Sequence, residues 1–325
     1  MLMKRNIFLS GLLALFLLLT ACGKTPRLPE PEGVRREETL LTVDGRGVTA
    51  AQYLYWLTAI CRSLEEQYDA AGKSVDWDSP AEEETLADYA KNQALRSAAL
   101  YATVENWAER YGCAVTEEER EQLAAQWEEK AAACGGEKAY LALLAEQGLD
   151  RERAERMAED HYLYVDLCAL AETEGSPLYA ADHELREFFA EQGYVTVRRL
   201  EFSGEGAGDR AAEAFARLNG SAETTAEFDA LGGGAARTLL RSEELLLEAA
   251  AALEPGQTSG ILENGEGGYV ILLRLADDLS AVRLAHFDHR LQSAADDAEI
   301  LAAEEYGSID VSRLRSGTQQ AGKAG

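Results

Sequence analysis

Tyr194-Val195-Thr196-Val197-Arg198-Arg199-Leu200-Glu201-Phe202 is the stretch on which the fold turns. It alternates as a strand does, and it follows a long region whose apolar residues recur at helical spacing. Downstream, Arg210 to Leu218, the segment near Ala226 to Leu231, and Glu243 to Leu253 read as helices, the last ended by Pro255-Gly256. Thr258 to Leu262 and Tyr269 to Leu275 read as strands joined by the Gly-rich turn Asn264 to Gly268. A β-α-α-β-α-β-β order within residues 193–276 describes a small α+β domain.

Upstream, Leu40 to Val43 reads as a short strand and Asp44-Gly45 as a tight turn. Thr49 caps a helix carrying Tyr53, Trp56, Leu57 and Ile60 on one face. After a loop around 71–80 that ends at Pro80, a long helix is expected from about 81 to 112. Its stripe of Leu86, Ala90, Ala94, Tyr101, Val104, Trp107, Ala108 and Tyr111 has core-facing spacing. Thr116 and Glu119 form a capping-box pattern for a helix through Ala133. Further helices are expected at 137–147, 150–172 and 180–192, with no strand after Val43 in this region. Residues 280–305 return to a helical pattern, and the last residues, rich in Gly, Ser and Gln, read as disordered.

The N-terminus has a different character. Lys4 and Arg5 precede an apolar run from Ile7 to Leu19, and Leu19-Thr20-Ala21-Cys22 closes it. A basic start, a short apolar stretch and a small-residue cut site make a secretion signal. The Cys directly after the cut reads as a lipobox, so the mature chain is expected to begin at an acylated Cys22. Acyl chains anchor an otherwise soluble body, which places the chain on the extracytoplasmic face of a bacterial membrane. Residues 22–38 hold three of the six prolines and read as a flexible tether. The expected order is thus a signal peptide (1–21), a tether (22–38), a helical domain (39–192), a small α+β domain (193–276), a C-terminal helix (277–310) packing on the helical domain, and a disordered tail (311–325).

The formal charge is −27, and −29 once residues 1–21 are removed. So acidic a body excludes nucleic acid as a partner and disfavours an anionic membrane surface. Besides Cys22, the cysteines are Cys61, Cys113, Cys134 and Cys168, with no CxxC spacing, so neither a zinc site nor a redox motif is suggested. They read as buried thiols or as partners in a disulfide whose pairing the sequence does not choose.

Several stretches together resemble the extracytoplasmic foldases of the SurA and PrsA type, helical chaperone domains carrying a parvulin-type prolyl isomerase. Thr42-Val43-Asp44-Gly45 with Val48-Thr49 resembles the opening of their N-terminal domain. Ala108-Glu109-Arg110-Tyr111-Gly112 with Val115-Thr116-Glu117-Glu118-Glu119 resembles a second shared segment, and Gly148-Leu149-Asp150 a third. The strongest match is Leu253-Glu254-Pro255-Gly256-Gln257-Thr258-Ser259-Gly260, similar to the parvulin helix end and turn. Gly268-Tyr269-Val270-Ile271-Leu272 resembles the last parvulin strand. The resemblance implies an α+β chain: an all-helical SurA-N-like chaperone domain plus a parvulin-like domain and a C-terminal helix.

The departures fall on the positions that the resemblance assigns to catalysis. Arg199 stands where one histidine is expected and Val270 where the other is; Ala251 replaces the pocket Phe, and Gly232-Gly233-Gly234-Ala235-Ala236 replaces the acid-bearing loop. Rotation about a prolyl bond faces a barrier of about 18–20 kcal/mol. Arg199 stays charged, Val270 offers no hydrogen bond, and Ala251 leaves a pocket wall open. Isomerase activity is therefore expected to be weak or absent, with an active parvulin-type isomerase as the alternative.

What remains is peptide binding by apolar helix surface, with Tyr53, Trp56, Trp77, Tyr101, Trp107 and Tyr269 as candidate lining. Trp77, in a polar loop, reads as the hardest of these to bury. Gly204-Glu205-Gly206-Ala207-Gly208 superficially suits a phosphate cradle but lacks the surrounding pattern. His286, Asp288 and His289 lack a third clustered ligand, and His161 reads as a core histidine. No metal and no cofactor are expected. The expected partners are unfolded or nascent secreted proteins and, through the Cys22 lipid, the membrane; a homodimer is admitted.

Overall fold

The computed structural model describes residue 31 and residues 33–314, apart from 82, 147–148, 244–245 and 266. Cys22, the signal segment and most of the tether lie outside the described residues. The chain divides into two compact units, one of residues up to Leu170 together with those from Asp288 on, the other Ala171–Phe287.

The first unit opens with β1 (Thr39–Val43) and β2 (Arg46–Thr49). Val43 pairs with Arg46 across a two-residue turn, Asp44-Gly45, in which both residues have positive φ, 47° and 84°. Such a turn matches the twist of the flanking strands, and Gly takes the second position without a Cβ penalty. Thr49 then starts α1 (Ala50–Ala70) with a full capping box: its hydroxyl accepts from the Gln52 N–H, and the Gln52 side chain accepts from the Thr49 N–H. A short hairpin of β3 (Pro80–Ala81) and β4 (Glu84–Thr85) delays the next helix. α2 (Leu86–Tyr111) begins at Thr85, whose hydroxyl caps Asp88, and so starts later than the sequence pattern suggests. α3 (Glu117–Ala133) carries the Thr116/Glu119 capping box, and α4 (Glu137–Glu146) and α5 (Arg151–Glu172) follow.

In the second unit, α6 (Asp182–Gln192) buries Phe188 and Phe189 with Val282, against Tyr194. It therefore belongs with the sheet that follows, not with the helices before it. The order is then β5 (Tyr194–Phe202), α7 (Ala207–Gly220), α8 (Thr224–Ala230), β6 (Arg237–Leu240), α9 (Leu246–Ala251), β7 (Leu262–Glu263) and β8 (Tyr269–Arg274). This is the expected β-α-α-β-α-β-β succession. The strands form one antiparallel sheet in the order β6-β5-β8-β7. One sheet face buries Val195, Val197, Val270 and Leu272 against Leu247 and Ala250 of α9. The other buries Leu200, Ile271 and Leu273 against Ala214 and Leu218 of α7 and Phe228 of α8.

α10 (Arg283–Asp296) begins in the second unit and continues into the first. The helical pattern expected to reach residue 305 ends at Asp296. Residues Ile300–Ala302 form β9, which pairs antiparallel with β1 and gives a three-stranded sheet in the order β2-β1-β9. The end of the helix expected over 280–305 is thus strand, because pairing with a distant strand overrides the helix propensity of an Ile-Leu-Ala-Ala-Glu-Glu segment, and the region read as free of strands after Val43 carries β2, β3 and β4. The start of the expected tail differs from expectation: Ile309, Val311 and Leu314 are buried in the same core as Leu41, Tyr53, Leu57 and Trp77, so residues 311–314 are ordered, while residues 315–325 lie outside the described residues. The class is α+β, with helix dominant.

Candidate functional site

In the second unit, alternation along β5 puts Arg199 on the sheet side that carries Val195 and Val197. The register sets Arg199 opposite Leu272 and Glu201 opposite Val270. Ala251, at the end of α9, is half-buried against the same cluster. The three positions that the resemblance assigns to catalysis therefore share one side of the sheet. Chemically that side is closed: Val270 is 2% exposed and sits among Val195, Val197, Leu247, Ala250 and Leu272. Residues 193–276 contain no histidine and no cysteine. A face built of hydrocarbon, one guanidinium and the exposed Glu201 carboxylate offers no imidazole or thiol at a twisted amide.

The Gly232-Gly233-Gly234 loop has a packing reason. A Cβ on Gly233 would lie 2.2 Å from Phe228 Cδ1 and 2.9 Å from the Phe228 carbonyl oxygen, so only glycine fits. Arg198 fastens the loop: its Nε donates to the Gly234 carbonyl at 2.7 Å and its Nη2 to the Gly233 carbonyl at 3.0 Å, while the guanidinium meets Asp229 and lies over the Phe228 ring. The turn at Glu254 to Ser259 is stitched to β8. Arg274 N–H donates to the Gln257 carbonyl, Gly256 N–H to the Arg274 carbonyl, and Leu272 N–H to the buried Ser259 hydroxyl. Tyr269 is half-buried beside Gly208. At the glycine loop 204–208, Arg210 donates to the Glu205 carbonyl and to that of the preceding Ser203.

In the first unit, most of the aromatic residues expected to line a peptide surface are core. Tyr53 is fully buried with its ring against Tyr306, and burial, reinforced by Tyr306, pushes its hydroxyl far above the usual phenol range. Trp56 is buried and packs on Tyr101 at 4.7 Å. Trp77 is 7% exposed, which corrects its reading as the hardest of them to bury: the C-terminal segment covers the loop, and Ser312 Oγ bonds Asp78. Tyr101 and Trp107 are half-buried, the latter stacked edgewise on Tyr111. Large apolar residues that do reach the surface of this unit are Tyr89, Val165 and Leu301.

The first unit also holds a cleft of about 350 Å³ lined by charged groups from β2, α2 and α5. Glu105 stands at its centre. Its carboxylate takes two hydrogen bonds from Arg156, at 2.9 and 3.0 Å, and one from Arg46 at 3.2 Å. Arg46 also reaches Asn106 and Glu109, both at 2.6 Å. Beneath them Asp160 is 3% exposed and hydrogen-bonded to Glu105. Burial, then the Glu105 charge, holds the Asp160 carboxyl well above the usual carboxylate range, against the pull of Arg156. None of these four was singled out from sequence. The available signal was Asp160 standing three residues after Met157 on the buried stripe of α5.

The four cysteines Cys61, Cys113, Cys134 and Cys168 are free thiols. Burial, helped by Asp166, pushes the Cys113 thiol upward, away from the reactive thiolate. Among the described residues no group of three or more His, Cys, Asp or Glu could hold a metal ion. Asp288 is engaged by the Tyr164 hydroxyl at 2.6 Å, His286 is buried against Phe188, and burial lowers the pKa of His161. No helix among the described residues is long and apolar enough to cross a membrane.

No family model and no curated protein matches the chain. Among solved structures it is similar to the foldase PrsA of Streptococcus pneumoniae, at 15% identity and a TM-score of 0.28, covering 75% of this chain and 94% of that one. It is similar to PrsA of Lactococcus lactis at 13% identity and a TM-score of 0.28, over 86% and 99% of the two chains. PrsA of Bacillus subtilis matches at 13% identity and a TM-score of 0.24, over 77% and 91%. These are structures of the family that the sequence motifs resemble.

Proposed function

We propose that this chain is an extracytoplasmic foldase or holdase, anchored through a lipid on Cys22, that binds unfolded secreted polypeptides and has weak or no prolyl isomerase activity. One observation carries the reading. A module with the parvulin-like element order has the face where catalysis is expected filled by Val270, Leu272, Val195 and Val197, with Arg199 at its margin. A module kept in this form serves as scaffold or peptide binder. Client contact then falls to surface apolar groups such as Tyr89, Val165 and Leu301, whose grip is weak and undemanding of sequence.

The test runs two assays on the mature chain. Aggregation of an unfolded client is expected to be suppressed, while isomerisation of a prolyl test peptide proceeds at its uncatalysed rate. Isomerisation at the rate of an intact parvulin, or no effect on aggregation, overturns the reading. Cys22→Ser is expected to abolish lipid labelling and release the chain from the membrane fraction.

A further inference from the structure

β9 ends its sheet, and among the described residues no strand pairs with its outer side. Its inner side is occupied: Asp44 N–H donates to the Glu299 carbonyl at 3.0 Å, Ala303 N–H donates to the Leu40 carbonyl at 2.9 Å, and Leu301 stands opposite Thr42 between them. In an antiparallel ladder the intervening residues, Ile300 and Ala302, turn their N–H and C=O groups away from the partner strand. The edge therefore presents backbone donors and acceptors, with Leu301, 59% exposed, beside them.

Charge decides what can add to this edge. Asp296, Asp297, Glu299, Glu304 and Glu305 flank it, all exposed, and no Lys or Arg occurs between Arg290 and Arg313. Lys91 lies over the Tyr306 ring, past the strand's end. Like charges across a strand pair are destabilising, so two copies of this edge repel. An extended segment bearing Lys or Arg meets the opposite sign at both ends, and the net charge of −27 steers it in the same direction.

We propose that the outer edge of β9 is a docking strand, to which an extended, Lys- or Arg-bearing stretch of an unfolded polypeptide adds as a further strand of the β2-β1-β9 sheet. This rests on the client-binding reading and gives it a place on the chain. Backbone pairing supplies affinity without sequence demands, and alternate side chains meet Leu301 and the acids.

The probe is a short peptide alternating Val and Lys, with a control in which Glu replaces Lys, titrated against the mature chain by fluorescence anisotropy. The Lys peptide is expected to bind, more weakly as salt screens the charges, and the Glu peptide to bind far less. Binding slows hydrogen exchange at the Ile300 and Ala302 amides. Ala302→Pro removes one outward donor, keeps the β1 bonds and is tolerated on an edge; it is expected to lower affinity about five- to tenfold, the worth of one net hydrogen bond. If that variant unfolds, exchange in the unaltered chain decides. Protection elsewhere, equal binding of the Glu peptide, or undiminished binding by a folded Ala302→Pro chain overturns the edge while leaving client binding standing. Protection of both amides in a peptide-free dimer assigns the edge to a second copy and overturns it too. A chain that binds neither peptide and suppresses no aggregation overturns both readings.

Discussion

Glu105 and Arg156 form a two-point ion pair, Arg156 Nε to Oε1 at 2.9 Å and Nη2 to Oε2 at 3.0 Å, that ties α2 to α5. The Glu105 side chain is 11% exposed whereas that of Arg156 is 47% exposed, so the pair lies between a surface and a buried bridge. The same carboxylate holds Arg46, which extends the tie to β2. Glu105→Gln keeps the shape and removes the charge from two arginines. A destabilisation of about 1–2 kcal/mol is expected, the range between exposed and buried pairs. Chemical denaturation of both chains measures it.

Asp160, directly beneath, makes stability depend on pH in an unusual direction for a carboxyl. Its folded-state pKa is raised, by burial first and by Glu105 second. The folded state therefore retains a proton that the unfolded chain releases. This contribution is fully present below the ordinary carboxylate pKa and is lost as pH rises through the folded pKa. Asp160→Asn keeps the shape and removes the ionisation. The variant is expected to gain thermal stability relative to the unaltered chain as pH rises from mildly acidic to neutral. A parallel pair of melting curves across that window would show that Asp160 is not the titrating group.

Gly233 and Gly260 make a matched pair of substitutions. A methyl on Gly233 meets Phe228 at 2.2 Å on the ring and 2.9 Å on the backbone, while nothing lies within 4 Å of one on Gly260. Overpacking of this kind costs about 1–3 kcal/mol or more. Gly233→Ala is expected to lower the melting temperature clearly and Gly260→Ala to leave it nearly unchanged. Equal effects would mean that the glycine loop is not held against Phe228.

The C-terminal segment completes the first unit. Ile309 and Val311 are each 2% exposed and Leu314 is 6% exposed, in one core with Trp77 and Tyr53. Leu314→Ala, together with Val311→Ala, removes buried methyl groups, at about 2–5 kcal/mol for the leucine alone. Protease resistance of residues 33–170 is expected to fall. An unchanged digestion pattern would return these residues to the dispensable tail that their composition suggests.

Local signals were readable in the chain. Thr49 and the Thr116/Glu119 box mark helix starts, Asp44-Gly45 marks a hairpin, and the alternation of Tyr194 to Phe202 with its downstream elements marks the second unit. Each depends on residues within a turn or two of one another. The features that escaped depend on distant partners. Ile300 to Ala302 is strand because β1 waits for it, not because its residues prefer extension. Trp77 is buried because residues 309–314 return to cover it. Arg46, Glu105 and the Arg156/Asp160 pair lie far apart in sequence, and only the packing of α2, α5 and β2 brings them together. The aromatic stripe on the first two helices was legible as a stripe, but periodicity alone does not say whether it faces core or client, and most of it faces core.

Val270 tests whether the closed face can be reopened toward catalysis. It is 2% exposed among valines and leucines, and β8 places it opposite Glu201 and Leu262. Val270→His restores the imidazole that the family resemblance expects there, but places it in hydrocarbon. A buried imidazole must stay neutral, so its folded pKa falls below the unfolded value near 6.5. Stability is then present above the unfolded pKa and lost as pH falls. The variant is expected to lose about 2–4 kcal/mol at neutral pH, through misfit and desolvation, and more at mildly acidic pH, with no isomerase activity gained. Denaturant titrations at two pH values beside a prolyl isomerisation assay check this. A variant as stable as its parent at both pH values, or one that turns over the prolyl peptide, would mean that this face is an open site rather than a core.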